Sequence, residues 1–219
     1  SYKKMEESYK KMNIRLKRKI AGEKQQAFLK ELIGSKIYYK LMENGGIVLD
    51  GDGRVVEFRV WVKDSDDLQD NLLYKYELKQ LSFNIEKLKS LPKLTEIDLY
   101  NTRVFGDIIH LKSLPKLDRI DLWGTGVYGD IAHLKSLRNL TMIDLRYTGV
   151  TGNIKHLKSL PKLTEIYLND TGVTGNIKHL KSLPKLRLIW IRQTGVSAGR
   201  KIFREYRNSA GLNSVIIVD

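Results

Sequence analysis

The chain has 219 residues, 42% of them hydrophobic, with 39 Lys and Arg against 25 Asp and Glu and a formal charge of +14. That length carries one domain with a sizeable core, and no apolar run is long enough to span a bilayer. The basic balance favours partners with negative surfaces; the absence of cysteine excludes a disulfide scaffold and points to an intracellular home, with cytoplasm, nucleus and organelle not distinguished.

The first segment is helical in pattern. Ser1-Tyr2-Lys3-Lys4-Met5 is echoed by Ser8-Tyr9-Lys10-Lys11-Met12, which places Tyr2, Met5, Tyr9 and Met12 on one stripe with Leu16 next in line. These four are candidates for docking another helix. Gly22 reads as a break. Phe28, Leu29, Leu32 and Ile33 predict a second helix ending near Gly34, and Tyr38, Leu41 and Met42 a third ending at Gly45-Gly46. Asp50-Gly51-Asp52-Gly53 is a turn. A strand follows from Arg54 to Val62, with Val56, Phe58 and Val60 on one side and Glu57, Arg59 and Trp61 on the other.

Leu-Lys-Ser-Leu then begins at Leu88, Leu111, Leu134, Leu157 and Leu180, always 23 residues apart. Such a unit is too small to bury its own apolar face and must stack on its neighbours, so the period predicts a solenoid. Subtracting one period exposes a disguised unit at Tyr74, Tyr76, Leu81, Ile85 and Leu88. The last regular unit ends at Val196. A charged helix, roughly Arg200 to Asn208 with Ile202, Phe203 and Tyr206 buried, and a strand from Val215 to Val218 close the open end. The chain thus divides into a helical extension over 1–46 and a repeat domain over 47–219, with repeats at about 50–196 and a cap at 197–219.

The unit Leu94-x-x-Ile97-x-Leu99-x-x-Thr102-x-Val104-x-Gly106-x-Ile108 recurs from Leu117, Leu140, Leu163 and Leu186. It resembles a leucine-rich repeat, and its Val-x-Gly-x-Ile tail is similar to the plant-type subclass. The resemblance, over about residues 50–219, implies a curved α/β solenoid with one parallel sheet on the concave face; the helical N-terminal extension and the helix-strand cap read above complete the expected fold. It does not name a function, because this fold hosts unrelated tasks. The family's usual corner asparagine is threonine here, at Thr102, Thr125, Thr148, Thr171 and Thr194, and the cysteine-bearing cap of secreted plant-type receptors is missing.

Alternate strand residues in such a unit face the concave surface. Its rows are then Glu57-Arg59-Trp61, Leu73-Lys75-Glu77, Glu96-Asp98-Tyr100, Arg119-Asp121-Trp123, Met142-Asp144-Arg146, Glu165-Tyr167-Asn169 and Leu188-Trp190-Arg192. Asp98, Asp121 and Asp144 form a ladder of like charge that needs compensation, and Lys75, Arg119 and Arg146 are near enough to give some. Tyr100, Trp123, Tyr147, Tyr167 and Trp190 lie beside it. Exposed aromatics with Arg146 and Arg192 are the residue types of binding hot spots, so these ten residues form the candidate partner surface, suited to a basic or amide-rich ligand.

The opposite side carries Lys89, Lys112, Lys135, Lys158 and Lys181 in one row, Lys93, Lys116, Lys162 and Lys185 in another, and His110, His133, His156 and His179 in register. The first row could hold anions. The histidines lack the convergent supporting ligands of a metal site. No phosphate loop, metal-protease His pair, thiol motif or nucleophile elbow is present. The sequence therefore predicts a non-enzymatic scaffold or adaptor within a larger assembly, with protein partners, no cofactor, no metal, no small-molecule substrate and no transmembrane span. The alternative is a ribonucleoprotein component that uses its lysine and histidine rows on RNA.

Overall fold

The computed structural model describes residues 2–60, 76–197, 199–212 and 216–218. Helix α1 (Tyr2–Ile33) and helix α2 (Ser35–Glu43) lead into an antiparallel hairpin of β1 (Ile47–Leu49) and β2 (Val55–Arg59). The Asp50–Gly53 turn joins them, with Asp50 accepting from the backbone N–H groups of Asp52 and Arg54 at 2.9 and 3.0 Å. The expected break at Gly22 is absent: α1 runs straight through it. Gly22 instead lets the helix approach the hairpin turn, since a Cβ there would overlap the Asp52 carbonyl oxygen and lie 2.7 Å from the Gly53 carbonyl carbon.

Each regular unit contributes a short strand to a parallel sheet: β3 (Glu96–Asp98), β5 (Arg119–Asp121), β7 (Met142–Asp144), β9 (Glu165–Tyr167) and β11 (Leu188–Trp190). With β1, β2 and the closing β13 (Ile216–Val218) they form the order β1-β2-β3-β5-β7-β9-β11-β13. Pairing is strictly in register, Ile97 against Ile120, Ile120 against Ile143 and Ile143 against Ile166. One unit sends Leu117, Ile120, Leu122, Val127, Ile131, Leu134 and Leu137 inward, all fully buried. At about 1.5–3 kcal/mol for each fully buried aliphatic side chain, this repeated column is what stacks the units.

The structure adds a second sheet to the one expected. Strands β4 (Phe105–Asp107), β6 (Gly126–Asp130), β8 (Gly149–Asn153), β10 (Gly172–Asn176) and β12 (Gly195–Ser197) run parallel behind the threonine corner. Each corner hydroxyl donates to the carbonyl three residues back, Thr102 to Leu99, Thr125 to Leu122, Thr148 to Leu145, Thr171 to Leu168 and Thr194 to Ile191, at 2.6–2.7 Å. Short 3-10 helices follow. Their first N–H groups are capped by Asn84, Asp107, Asp130, Asn153 and Asn176, a column the sequence reading overlooked. Gly106, Gly129, Gly152 and Gly175 make room for it, because at φ of 103–116° a Cβ would overlap the capping side chain of the preceding unit.

The disguised unit is half correct. Leu81 and Phe83 accept backbone bonds from Arg103 and Phe105, and Ile85 and Leu88 are buried in line with their successors. Glu77, the one described member of its expected strand row, is not part of the sheet. Strand β2 pairs directly with β3, Arg59 opposite Asp98, and Glu77 lies in a helical turn; Leu73, Tyr74, Lys75 and Trp61 lie outside the described residues.

Helix α3 (Arg200–Ser209) closes the far end. Phe203 is buried as expected and Tyr206 half-buried, but Ile202 is 60% exposed. The buried place belongs to Arg207, 1% exposed, whose guanidinium donates to the carbonyls of Leu183 at 2.7 Å, Leu186 at 3.1 Å and Lys181 at 3.3 Å. A planar fork of donors satisfies several carbonyls of the last regular unit at once. Among the described residues no helix is long and apolar enough to cross a membrane.

Candidate functional site

The outer face of the eight-stranded sheet presents its side chains in columns fixed by register. The middle column reads Arg59, Asp98, Asp121, Asp144, Tyr167 and Trp190. Beside it, past the strand ends, run Tyr100, Trp123, Arg146, Asn169 and Arg192. Backbone bonds continue the parallel pairing there, Asn101 to Trp123, Gly124 to Arg146, Tyr147 to Asn169 and Asp170 to Arg192.

The aspartates are aligned as the repeat implied. Each accepts the N–H two residues on, Asp98 from Tyr100 at 3.3 Å, Asp121 from Trp123 at 3.1 Å and Asp144 from Arg146 at 3.1 Å. Their surroundings differ. Asp144 is 2% exposed and clamped by Arg146, whose Nε donates to both carboxylate oxygens at 2.9 and 3.0 Å and whose terminal nitrogen pairs with Oδ2. It is therefore a support for Arg146 rather than a contact surface. Asp98 and Asp121 make no ion pair among the described residues. Arg119 turns to Glu96 at 3.5 Å, and Arg59 to Glu57 at 2.7 Å and Glu96 at 3.6 Å. Burial raises the Asp98 carboxyl above its usual range. Burial, followed by the charges of Asp144 and Asp98, pushes Asp121 up to about 7.

The aromatic residues make two groups. Tyr100 stacks on Trp123 with centroids 6.1 Å apart, and Trp123 meets the edge of Tyr147 at 6.2 Å. Tyr167 and Trp190 lie 5.9 Å apart. The Arg146 guanidinium spans the second group, 4.9 Å from the Tyr167 ring and 5.7 Å from the Trp190 ring. Tyr167 donates to Glu165 at 2.9 Å, and burial with that bond pushes its phenol up to about 12. Trp190 buries its indole nitrogen, and Asn169 its side-chain oxygen, without a hydrogen-bond partner among the described residues. Arg192 is exposed at the end of the row.

Tyr147 departs from the strand position. It occupies the corner, at φ 54°, in a column otherwise filled by Asn101, Gly124, Asp170 and Gln193, all with positive φ. Its ring is 56% exposed. A cleft of about 340 Å³ opens beside Tyr100 and Trp123, bounded by Val60, Leu78 and Lys79.

On the convex side Lys112, Lys135 and Lys158 are exposed. Lys89 pairs with Glu86 at 3.0 Å, and Lys181 sits 4.2 Å from the Tyr206 ring. The four histidines are half-buried in one register. Among the described residues no three acidic or histidine side chains converge to hold a metal ion. On α1, Tyr9 and Met12 are 60% and 57% exposed; the side chains of Tyr2 and Met5 lie outside the described residues.

No family model matches the chain, and no curated protein matches it. Solved structures do. The leucine-rich-repeat ectodomain of the receptor kinase SOBIR1 from Arabidopsis thaliana is 22% identical, with a TM-score of 0.50 over 66% of this chain and 74% of that one. The BIR2 ectodomain from Arabidopsis thaliana is 19% identical, with a TM-score of 0.53 over 72% and 77%. PEPR1 in complex with AtPEP1 is 22% identical, with a TM-score of 0.52 over 70% of this chain and 20% of that chain. At these identities the likeness establishes the fold: the chain is a leucine-rich-repeat solenoid.

Proposed function

We propose that the chain is a non-enzymatic protein-binding scaffold or adaptor, a structural subunit of a larger intracellular assembly. Its partner lies along the outer face of the eight-stranded sheet. The observation that carries this reading is the run of rings from Tyr100 through Trp123 to Tyr147, continued by Arg146 over Tyr167 and Trp190. The core positions are already filled by Ile, Leu and Val, so these rings are not needed to close it. Aromatic and arginine side chains held rigidly by neighbours bind with little loss of conformational entropy. Asp98 and Asp121, which lack ion pairs among the described residues, suit a basic or amide-rich partner segment. The likeness to PEPR1, solved with AtPEP1, is compatible with a peptide or protein ligand.

The test is recovery of the native complex. Replacing Trp123 and Tyr167 together by alanine should abolish capture of the main partner while the fold persists. Undiminished recovery would overturn the assignment of this face.

The second reading, an RNA contact on the convex side, has its own observation. Segments 108–116, 131–139, 154–162 and 177–185 contain ten lysines and arginines and no Asp or Glu. An RNA contact through Lys112, Lys135 and Lys158 would weaken linearly on a log–log plot against salt. An aromatic protein contact would change little over the same range.

A further inference from the structure

The first half of α1 carries a face that nothing among the described residues covers. Tyr9, Met12, Leu16 and Ile20 are 43–60% exposed. At 3.6 residues per turn they fall on one narrow stripe. Gly22, Leu29 and Ile33 face the domain, two of them packed in the core and Gly22 against the hairpin turn. That side is turned roughly 125° away from the stripe. The stripe is therefore no continuation of the core packing. Residues 2–20 span about 28 Å at the helical rise.

The stripe is flanked mainly by positive charge. Arg15 and Lys19 border it on one side, and Lys10 and Lys17 on the other. Residues 2–20 contain eight lysines and arginines against two glutamates. A second copy would bring the same excess of positive charge against itself, which disfavours self-pairing. A bilayer surface calls for a broad apolar face; this one is a seam about two residues wide per turn, the width of a helix-helix contact.

We infer that the N-terminal half of α1 is a docking helix for an acidic amphipathic helix of another protein. Tyr9, Met12, Leu16 and Ile20 form the seam, and Arg15, Lys19 and Lys17 pair with carboxylates flanking the partner's seam. This is a second interface, separate from the sheet face, so one chain can bridge two partners.

The experiment uses the full chain and a labelled helical peptide of about three heptads, with leucine at its seam and glutamate at its flanking positions. A peptide with lysine at the flanks is the control. The glutamate peptide should bind at least about tenfold more tightly than the lysine peptide. Leu16→Glu should remove that binding, and Arg15→Glu with Lys19→Glu should weaken it about tenfold or more, while Trp123→Ala leaves it unchanged. These substitutions lie on exposed helix, and circular dichroism checks that the fold is kept. Four results would overturn the inference: equal binding of both peptides, binding of neither, self-association of the chain that Leu16→Glu reverses, or sedimentation with phosphatidylserine vesicles without peptide binding.

Discussion

The guanidinium of Arg146 lies 4.9 Å from the ring centroid of Tyr167 while its Nε is bonded to Asp144, which is 2% exposed. One cation thus serves two purposes: it neutralises a buried carboxylate and roofs an aromatic pair. Arg146→Ala should cost about 3 kcal/mol, because it leaves Asp144 buried without its cation. The double variant Arg146→Ala with Asp144→Asn should recover most of that loss. Urea unfolding of the wild type, both single variants and the double variant measures the coupling; a loss below about 1 kcal/mol in Arg146→Ala would show that Asp144 is solvated after all.

The aspartate ladder predicts an inverted acid response. A carboxyl whose pKa is raised by folding binds more protons in the native state than in the unfolded chain. For Asp121, pushed up to about 7 from the ordinary 3.8, that excess exists between about pH 4 and pH 7. The contribution is favourable below that window and is lost as pH rises through it, at up to roughly 1.4 kcal/mol per pH unit. Asp98 acts in the same direction. Asp121→Asn keeps the acceptor for the Trp123 N–H and removes the charge. It should stabilise the protein at pH 8, leave it nearly unchanged at pH 4, and flatten the slope between. A stabilisation that did not depend on pH would remove the ladder's charge as the cause.

Tyr147 holds a strained place. Its φ of 54° costs a residue with a Cβ roughly 1–2 kcal/mol, whereas its edge contact with Trp123 returns about 0.5–1.5 kcal/mol. Asparagine tolerates this backbone region and already occupies the equivalent corner at Asn101. Tyr147→Asn should therefore leave the melting temperature nearly unchanged while weakening partner capture at least about tenfold. Unchanged capture would mean that the ring is dispensable to the sheet face.

What the sequence disclosed follows from how each feature is encoded. The stacking register is written in side chains that repeat every 23 residues, so Asp98, Asp121 and Asp144 could be aligned on paper and are aligned across the sheet. The second sheet is written mostly in backbone. Strands such as Gly149–Asn153 are glycine-rich, a composition with low strand propensity, and the neighbouring units supply their pairing. The first hairpin was hidden because Ile47–Leu49 is too short to show alternation. It takes the sheet position expected of residues 73–77. The sequence does not single out Arg207, since nothing local marks the carbonyls of Leu183 and Leu186 that it reaches across 24 and 21 residues. The change of role at Asp144, from contact to support, depends on where Arg146 turns, which the repeat does not specify.

Gly22 offers a test in which local and tertiary preferences oppose each other. In the interior of a helix, alanine is favoured over glycine by about 1 kcal/mol, so a helix that merely tolerated Gly22 would gain from Gly22→Ala. Here the new Cβ would overlap the Asp52 carbonyl oxygen and crowd the Gly53 backbone, and backbone on both sides leaves no flexible side chain to yield. The substitution should instead push α1 off the hairpin turn, break the bond from Gln26 Nε2 to the Gly53 carbonyl, 2.7 Å long, and destabilise the protein by about 1–3 kcal/mol. Hydrogen exchange would show faster opening of Val55 and its neighbours in β2, with protection in β7 and β9 unchanged. A net gain in stability would mean that α1 does not rest against the turn in solution.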